Sequence, residues 1–322
     1  MTFSMLLFFV VRTLVLSWPL LLQTAILTLL SLGAFAANAV ICRWALDSGW
    51  IDPISFTNLR LASGALMLFF VMLWLRYSPI SRPANRLNPQ PDTPSPASQG
   101  SWRAAIALFI YALTFSYGYV AVTTATGALL LAVIVQLTMI GYALRAGERL
   151  HSLEWLGVAL ALIGLLYLVY PKLSGPSWWG LLMVTLSAYT WALYTLYGRR
   201  SRAPLVDTAY NFYRTLPFVA LLALVSLPWI NASAVGVALA LFSGAITSGL
   251  GYIVWYTVLP RLSSSLASAS QLLVPLMAAL AAAWLINEAI TLHLVIAAAL
   301  MLGGIALVLW GRQHHRKLSG SA

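Results

Sequence analysis

Residues 152–169 read SLEWLGVALALIGLLYLV, and residues 291–310 read TLHLVIAAALMLGGIALVLW. The first stretch carries a single charge, Glu154, at its very start, and the second carries none. Both are apolar all the way round a helix rather than along one stripe, which is the pattern of a helix surrounded by apolar material. Each approaches the roughly 20 residues needed to cross the hydrocarbon core of a bilayer.

Working outward from these two, breaks at charges and at Gly, Pro and Ser clusters divide the chain into ten candidate spans. They lie at about 20–45, 53–75, 103–121, 124–144, 152–170, 177–198, 205–227, 234–259, 264–286 and 290–310. Most connections are only a few residues long, so consecutive spans must run antiparallel. The exception is Tyr77–Trp102, whose interior SPISRPANRLNPQPDTPSPASQG is too rich in Pro, Ser, Asn and Gln to form a buried element. Composition agrees: the 322 residues are 61% hydrophobic and 8% charged, and mean hydropathy is +0.89. A soluble domain carries roughly a quarter charged residues, so a soluble enzyme is excluded.

The charge balance, 18 Lys and Arg against 7 Asp and Glu, is a formal +11. With the N-terminus placed inside and ten crossings, fourteen of the 18 fall on one side, among them Arg12, Arg145, Arg149, Arg199, Arg200 and Lys317. Arg43 and Lys172 fall on the other side, and Arg60 and Arg214 lie within spans. That sorting follows the positive-inside rule and puts both termini and the Pro-rich loop in the cytoplasm. It also removes nucleic acid as the reason for the basic balance, since no basic segment carries a nucleic-acid-binding signature. Residues 1–19 are interrupted by Arg12 and too short to span. They can be read as an extra segment, an interfacial stretch or a product of start-codon choice. Ala34-Phe35-Ala36 resembles a cleavage site, but the repeat described next requires the first span to be retained.

An offset of 154 pairs Leu32 with Leu186, Ala34 with Ala188, Phe35 with Tyr189 and Arg60 with Arg214. An offset of 140 pairs Glu148 with Glu288, Gly164 with Gly304, and Ala159, Leu160 and Leu162 with Ala299, Leu300 and Leu302. The rare charges align, one Arg and one Glu per half. Five spans per half is an odd number, so the halves insert in opposite orientations, the inverted-repeat plan of secondary transporters with a site near mid-membrane. Arg60 and Arg214 each sit roughly 12–15 Å deep, from opposite faces. The domain plan is therefore an N-terminal extension at 1–19, a first repeat at 20–170 containing the cytoplasmic loop 77–102, a second repeat at 177–310, and a basic cytoplasmic tail at 311–322.

Over residues 20–310 the chain resembles the EamA family of the drug/metabolite transporter superfamily. The resemblance rests on LGAFAANAVICR in span 1, DPISFTNLRLASGAL into span 2 and TGALLLAVIVQ with RAGERL at span 4. It continues with the span 5 stretch quoted above, SGLGYIVWYTVL in span 8, and SASQLLVPLMAALAAAWLINEAI with GGIALVLW in spans 9 and 10. It implies an all-α integral membrane protein of ten transmembrane helices in two inverted five-helix repeats, a central cavity and alternating access. It also implies export of small metabolites, amino acids or drugs. The family often has Pro in both span 4 and span 9; here Pro275 in span 9 is the expected hinge, while the aligned position is Val135, followed by Gln136.

An ionisable group within the membrane costs about 2.5–3.5 kcal/mol on insertion scales and is a functional candidate. Arg60 and Arg214 qualify, as ligands for a carboxylate or phosphate; helix-end carbonyls, or Asp52 and Asp207 on their own helices, are the structural alternative. Asn38, Gln136 and Gln271 are the polar cavity candidates, with interhelical bonding as the alternative. Tyr117, Tyr189 and Trp255 stand for aromatic residues within spans, which could line a cavity for apolar cargo or a delocalised cation or simply pack. Glu148 and Glu288 end spans 4 and 9, on opposite faces, as helix-end caps or gate pairs. No acid lies at mid-span, so a carboxylate-based proton antiport is not expected. No nucleotide loop, zinc motif or nucleophile–base pair is present, so no enzyme activity, cofactor or metal is expected. The partners expected are a small-molecule substrate and the lipid bilayer, with no nucleic acid, for a monomer or homodimer. The reading that follows is export of small metabolites such as amino acids, with broad drug or lipophilic-cation efflux as the alternative.

Overall fold

In the computed structural model the described residues are 19–77, 99–122, 124–147, 150–170, 177–278 and 291–319. The N-terminal extension, most of the Pro-rich loop, Glu148 and Glu288 lie outside them. The described residues form ten helical segments: α1 (Leu20–Asp47), α2 (Pro53–Tyr77), α3 (Trp102–Ala121), α4 (Thr124–Arg145) and α5 (Ser152–Val169). The second five are α6 (Trp178–Gly198), α7 (Pro204–Ser226), α8 (Ala234–Arg261), α9 (Ser264–Gln271) and α10 (Leu292–Ser319). Five of them, α1, α2, α3, α7 and α8, are by themselves long and apolar enough to cross a membrane.

Their starts are chemically marked. Ser101, Ser177, Ser233 and Ser263 each accept a hydrogen bond from the backbone N–H three residues on. His151 and Glu154 form a reciprocal capping box at α5, and Pro204 opens α7, where its missing N–H leaves no bond unmade. Hydroxyls inside the spans bond back to carbonyls four residues earlier: Thr57 to Pro53, Thr114 to Ile110, Thr190 to Leu186. Polar atoms are thereby satisfied where no water is available.

Three helices depart from the expected plan. α8 contains an eight-residue π-helical stretch, Ser243–Leu250. α9 is interrupted at Leu272 and resumes over 273–278, because Pro275 has no N–H and crowds the carbonyl of Gln271 four residues before it. α10 does not stop at Trp310 but runs through the expected tail to Ser319.

The packing shows the repeat. α3 packs on α6 as α8 packs on α1, and α5 packs on α10, α2 on α7 and α4 on α9, each the counterpart of the other. The two halves therefore interleave rather than sit side by side. The α5–α10 seam is close: a Cβ on Gly157 would fall 2.5 Å from the Gly304 carbonyl oxygen, and one on Gly304 2.5 Å from that of Gly157.

Matching acids tie the ends of the repeats. Asp52 accepts from the backbone N–H groups of Ile54 and Ser55 through one oxygen, and from that of Asn231, just before α8, through the other. Asp207 accepts from the backbone N–H of Gly100, just before α3, at 2.8 Å, and from the Ser201 hydroxyl. Asn211, one turn on, accepts from the Ser101 N–H at 2.9 Å. Gly100 has φ +66°, and a Cβ there would lie 2.4 Å from Asn211 Oδ1, so this turn needs glycine twice over.

Candidate central cavity

A cavity enclosing about 820 Å³ of unfilled space, its mouth included, opens between the repeats. Its wall comes from α1 (Phe35, Asn38, Val40), α3 (Tyr111, Phe115, Tyr119), α4 (Leu131, Val135), α6 (Trp191) and the broken α9 (Ser268, Gln271, Pro275). On α3 the three aromatic residues recur every four positions, so they share one face. Among the described residues, no Asp, Glu, Lys or Arg lines the cavity.

The polar groups of the wall are held in place. Gln271 Oε1 accepts from Trp191 Nε1 at 2.6 Å, and its amide nitrogen donates to the Ala267 carbonyl at 3.2 Å. Asn38 Oδ1 accepts from Ser243 Oγ at 2.6 Å and Thr247 Oγ1 at 3.2 Å. The π-helical stretch explains that pairing. A wider turn brings Ser243, Thr247, Ser248 and Tyr252 toward one side, where the first two meet Asn38 and the last two meet Arg60.

Arg60 is buried, 1% exposed, directly behind the cavity wall. Its Nε donates to Ser248 Oγ at 2.9 Å, and its Nη2 donates to Tyr252 Oη at 2.7 Å and Tyr111 Oη at 3.2 Å. Its Nη1 has no acceptor among the described residues. The guanidinium carbon lies 5.3 Å from the Tyr111 ring centre and 5.6 Å from that of Phe115. Around it Phe35, Trp191, Tyr252 and Trp255 form a continuous aromatic cluster, with ring centres 5.0–5.6 Å apart.

The structure separates the residues singled out from the sequence. Asn38, Gln271 and Pro275 line the cavity, and Arg60 backs it. Arg214 does not reach it. Its Nη1 bonds the carbonyl of Gln99, and it packs beside Trp102 and Tyr210. With Asp207 and Asn211 it forms one face of α7 that grips residues 99–101. The expectation of symmetric arginines thus fails in position: α7 turns Arg214 toward the segment leading into α3. Tyr117 lies off the wall, Tyr189 is 47% exposed on the outer face of α6, and Trp255 is fully buried behind Phe35. Tyr111, Phe115, Tyr119 and Trp191 take the places expected of those three. The four-residue spacing on α3 is the available signal for the first three; for Trp191 the abundance of aromatic residues hides it.

Gln136 is 1% exposed on α4, and neither end of its amide has a partner among the described residues. A buried unpaired polar group costs about 1–3 kcal/mol. Its counterpart at the 140 offset is Leu276. Gln136→Leu is therefore expected to stabilise the resting protein by about 1–3 kcal/mol, seen as a higher melting temperature of the purified protein. A lower one would mean that the amide is paired.

Ten helices in two interleaved copies of a five-helix unit, around a cavity walled by both copies, define a membrane transport protein of internal twofold design. The chain belongs to the EamA-like transporter family, whose model matches residues 22–170 and again 178–310. An uncharacterized protein of Pseudomonas aeruginosa is 47% identical over 89% of this chain and 94% of its own length. A probable amino-acid metabolite efflux pump of Escherichia coli is 27% identical over 51% of this chain and 60% of that protein. An uncharacterized transporter of Bacillus subtilis is 23% identical over 79% of this chain and 86% of its own. One solved crystal structure shares the fold with a TM-score of 0.67, covering 90% of this chain and 98% of its own at 19% identity. Members of the family are transporters rather than enzymes, and the helices of this one mark it as a membrane protein.

Proposed function

We propose that the protein is a bacterial inner-membrane secondary transporter that exports small metabolites such as amino acids by alternating access through the central cavity. The observation that carries this reading is the cavity itself: α1, α3 and α4 of the first repeat and α6 and α9 of the second form one wall, so a shift of one repeat against the other changes its access. The Arg-rich ends of the helices, read as cytoplasmic, are tied in this state. Arg200 donates to Tyr142 Oη at 2.6 Å, and Arg199 donates to the Leu262 carbonyl at 3.3 Å and to the Ser264 hydroxyl. Within the cavity wall the Trp191–Gln271 bond links α6 to α9. Pro275, beside the break in α9, is the point at which that wall bends, and both termini and the Pro-rich loop face the cytoplasm.

The amino-acid direction of the reading is supported by the named efflux relative in Escherichia coli and by a neutral, aromatic cavity wall. The test is a metabolite screen of culture medium from overexpressing and deletion cells. Overexpression is expected to raise extracellular levels of one or a few amino-acid-like compounds, and deletion to lower them. Identical media in both directions would refute export. The aromatic rings also favour a second reading, efflux of lipophilic cations, which the same strains separate by protection against such compounds.

A further inference from the structure

We propose that Arg60 is the anion-binding subsite of the cavity. A carboxylate of the cargo takes the place of the Tyr111 hydroxyl and docks on the Nη1 and Nη2 edge of the guanidinium. This rests on the cavity being the transport route, and it narrows the cargo to compounds bearing a carboxylate.

Four observations lead there. First, Arg60 carries a buried charge with no acid among its hydrogen-bond partners: Ser248, Tyr111 and Tyr252 all offer neutral hydroxyls. Arg43, by contrast, has its own acid, Asp47, one turn on in α1. A buried cation without an anion is held at a cost unless another component supplies the charge. Second, Nη1 offers both of its hydrogens to nothing among the described residues, although hydroxyls crowd the rest of the group. Third, what stands between Nη1 and the cavity is the wall itself: the rings of Tyr111 and Phe115 flank the guanidinium and line the cavity. Tyr111 is the movable part, because its hydroxyl makes the longer of the two Nη2 bonds, 3.2 Å against 2.7 Å for Tyr252. Swinging it aside leaves Tyr252 and Ser248 holding the guanidinium from behind and frees a forked donor edge, the geometry that matches a carboxylate. Fourth, the absence of acidic residues from the described wall leaves a cargo ammonium only ring faces and amide oxygens, and the charge of Arg60 opposes a purely cationic cargo.

The test uses the full chain, purified into lipid nanodiscs and proteoliposomes, with four probes: L-phenylalanine, phenylacetate and the amide of each. Thermal stabilisation reads binding, and counterflow reads transport. The two carboxylates are expected to bind at least about tenfold more tightly than their amides, since the charge-assisted pair is lost in the amides. Arg60→Met should abolish that preference and Arg60→Lys reduce it. Because Arg60 variants are at risk of misfolding, Tyr111→Phe supplies an independent arm. It removes the competing hydroxyl and should tighten carboxylate binding about three- to tenfold, a gain that a purely structural role for Tyr111 does not produce. The proposal is overturned if the amides bind as well as the carboxylates, if neither carboxylate binds the wild type, if folded Arg60→Met keeps the preference, or if Tyr111→Phe weakens carboxylate binding. Carboxylate binding without counterflow would leave the anion subsite standing and remove the transport reading. Equal counterflow of acids and amides would do the reverse.

Discussion

Replacing Gly244 by valine is expected to cost the protein at least about 3 kcal/mol and to abolish transport. Gly244 is the second residue of the π-helical stretch of α8, where that helix crosses α2. A Cβ there would lie 2.0 Å from both the Arg60 carbonyl oxygen and Ser63 Oγ, and 2.7 Å from the Arg60 carbonyl carbon. Backbone atoms of a helix cannot move aside one at a time, so the two helices would have to part. Opposite it, Gly64 is equally confined: a Cβ added there would stand 2.4 Å from Phe212 Cε1 and 3.1 Å from the Gly244 carbonyl oxygen. Parting α2 from α8 also pulls Ser248 off Arg60 and disturbs Ser243 and Thr247 on Asn38. The loss therefore reaches the cavity and not only the fold. The measurement is the melting temperature and monodispersity of the purified protein, beside Gly141→Ala as control. Gly141 lies in α4 with nothing within 4 Å of its Cβ position, so alanine there is expected to be neutral or to add up to about 1 kcal/mol from helix propensity. A Gly244→Val protein that melts with the wild type would show that α2 and α8 do not meet at these glycines.

The second large effect is expected at the α5–α10 seam. Gly304→Leu should prevent accumulation of folded protein, read as loss of the main peak in fluorescence-detected size-exclusion chromatography. A Cβ at 304 meets the Gly157 carbonyl oxygen at 2.5 Å and the Ala161 nitrogen at 2.6 Å before the rest of the leucine is placed. One heptad away, a Cβ on Gly164 would meet Met301 N at 2.9 Å and Leu300 Cβ at 2.8 Å. Lipid is as apolar as the helices, so association in the membrane depends on close packing of such small residues rather than on burial from water. The two contacts are related by the repeat: Gly157 against Gly304 in one direction, Gly164 against the Ala297–Met301 turn in the other. Gly303, one position from Gly304, has a single atom, at 4.0 Å, near its Cβ position, and Gly303→Leu is expected to be tolerated. Equal profiles for the two leucine variants would remove the seam.

The spans were legible because a bilayer imposes a length. The first, expected at about 20–45, is Leu20–Asp47, and the fourth, expected at about 124–144, is Thr124–Arg145. The repeat was legible because charges are so rare that two aligned ones stand out. What the sequence left open is rotation. A helix apolar on all sides does not announce which face turns inward, so Tyr189 and Trp191, two positions apart, could not be ranked, and they end on opposite sides of α6. The amides divide in the same way: Asn38 and Gln271 face partners across the helices, whereas Gln136 faces none among the described residues. The arginines show the limit of symmetry as a guide. Equal depth in two inverted helices did not make equal surroundings, because the segment before α3 must be held and the face of α7 carrying Asp207, Asn211 and Arg214 holds it. The π-helical stretch left only a compositional trace, the small residues of SGAITSGLG.

Interleaving of the repeats has a consequence for how the chain is made. Arg60 is separated from Ser248 by 188 residues and from Tyr252 by 192. During synthesis the second helix enters the lipid long before these two hydroxyl partners leave the ribosome. α1 likewise waits for α8, and α5 for α10. A newly inserted first repeat is thus an unfinished object, its guanidinium offered Tyr111 alone of its three hydroxyl partners and its glycine seam bare. The order of helices along the chain makes completion of translation, rather than insertion of any single span, the event that commits this protein to its native state.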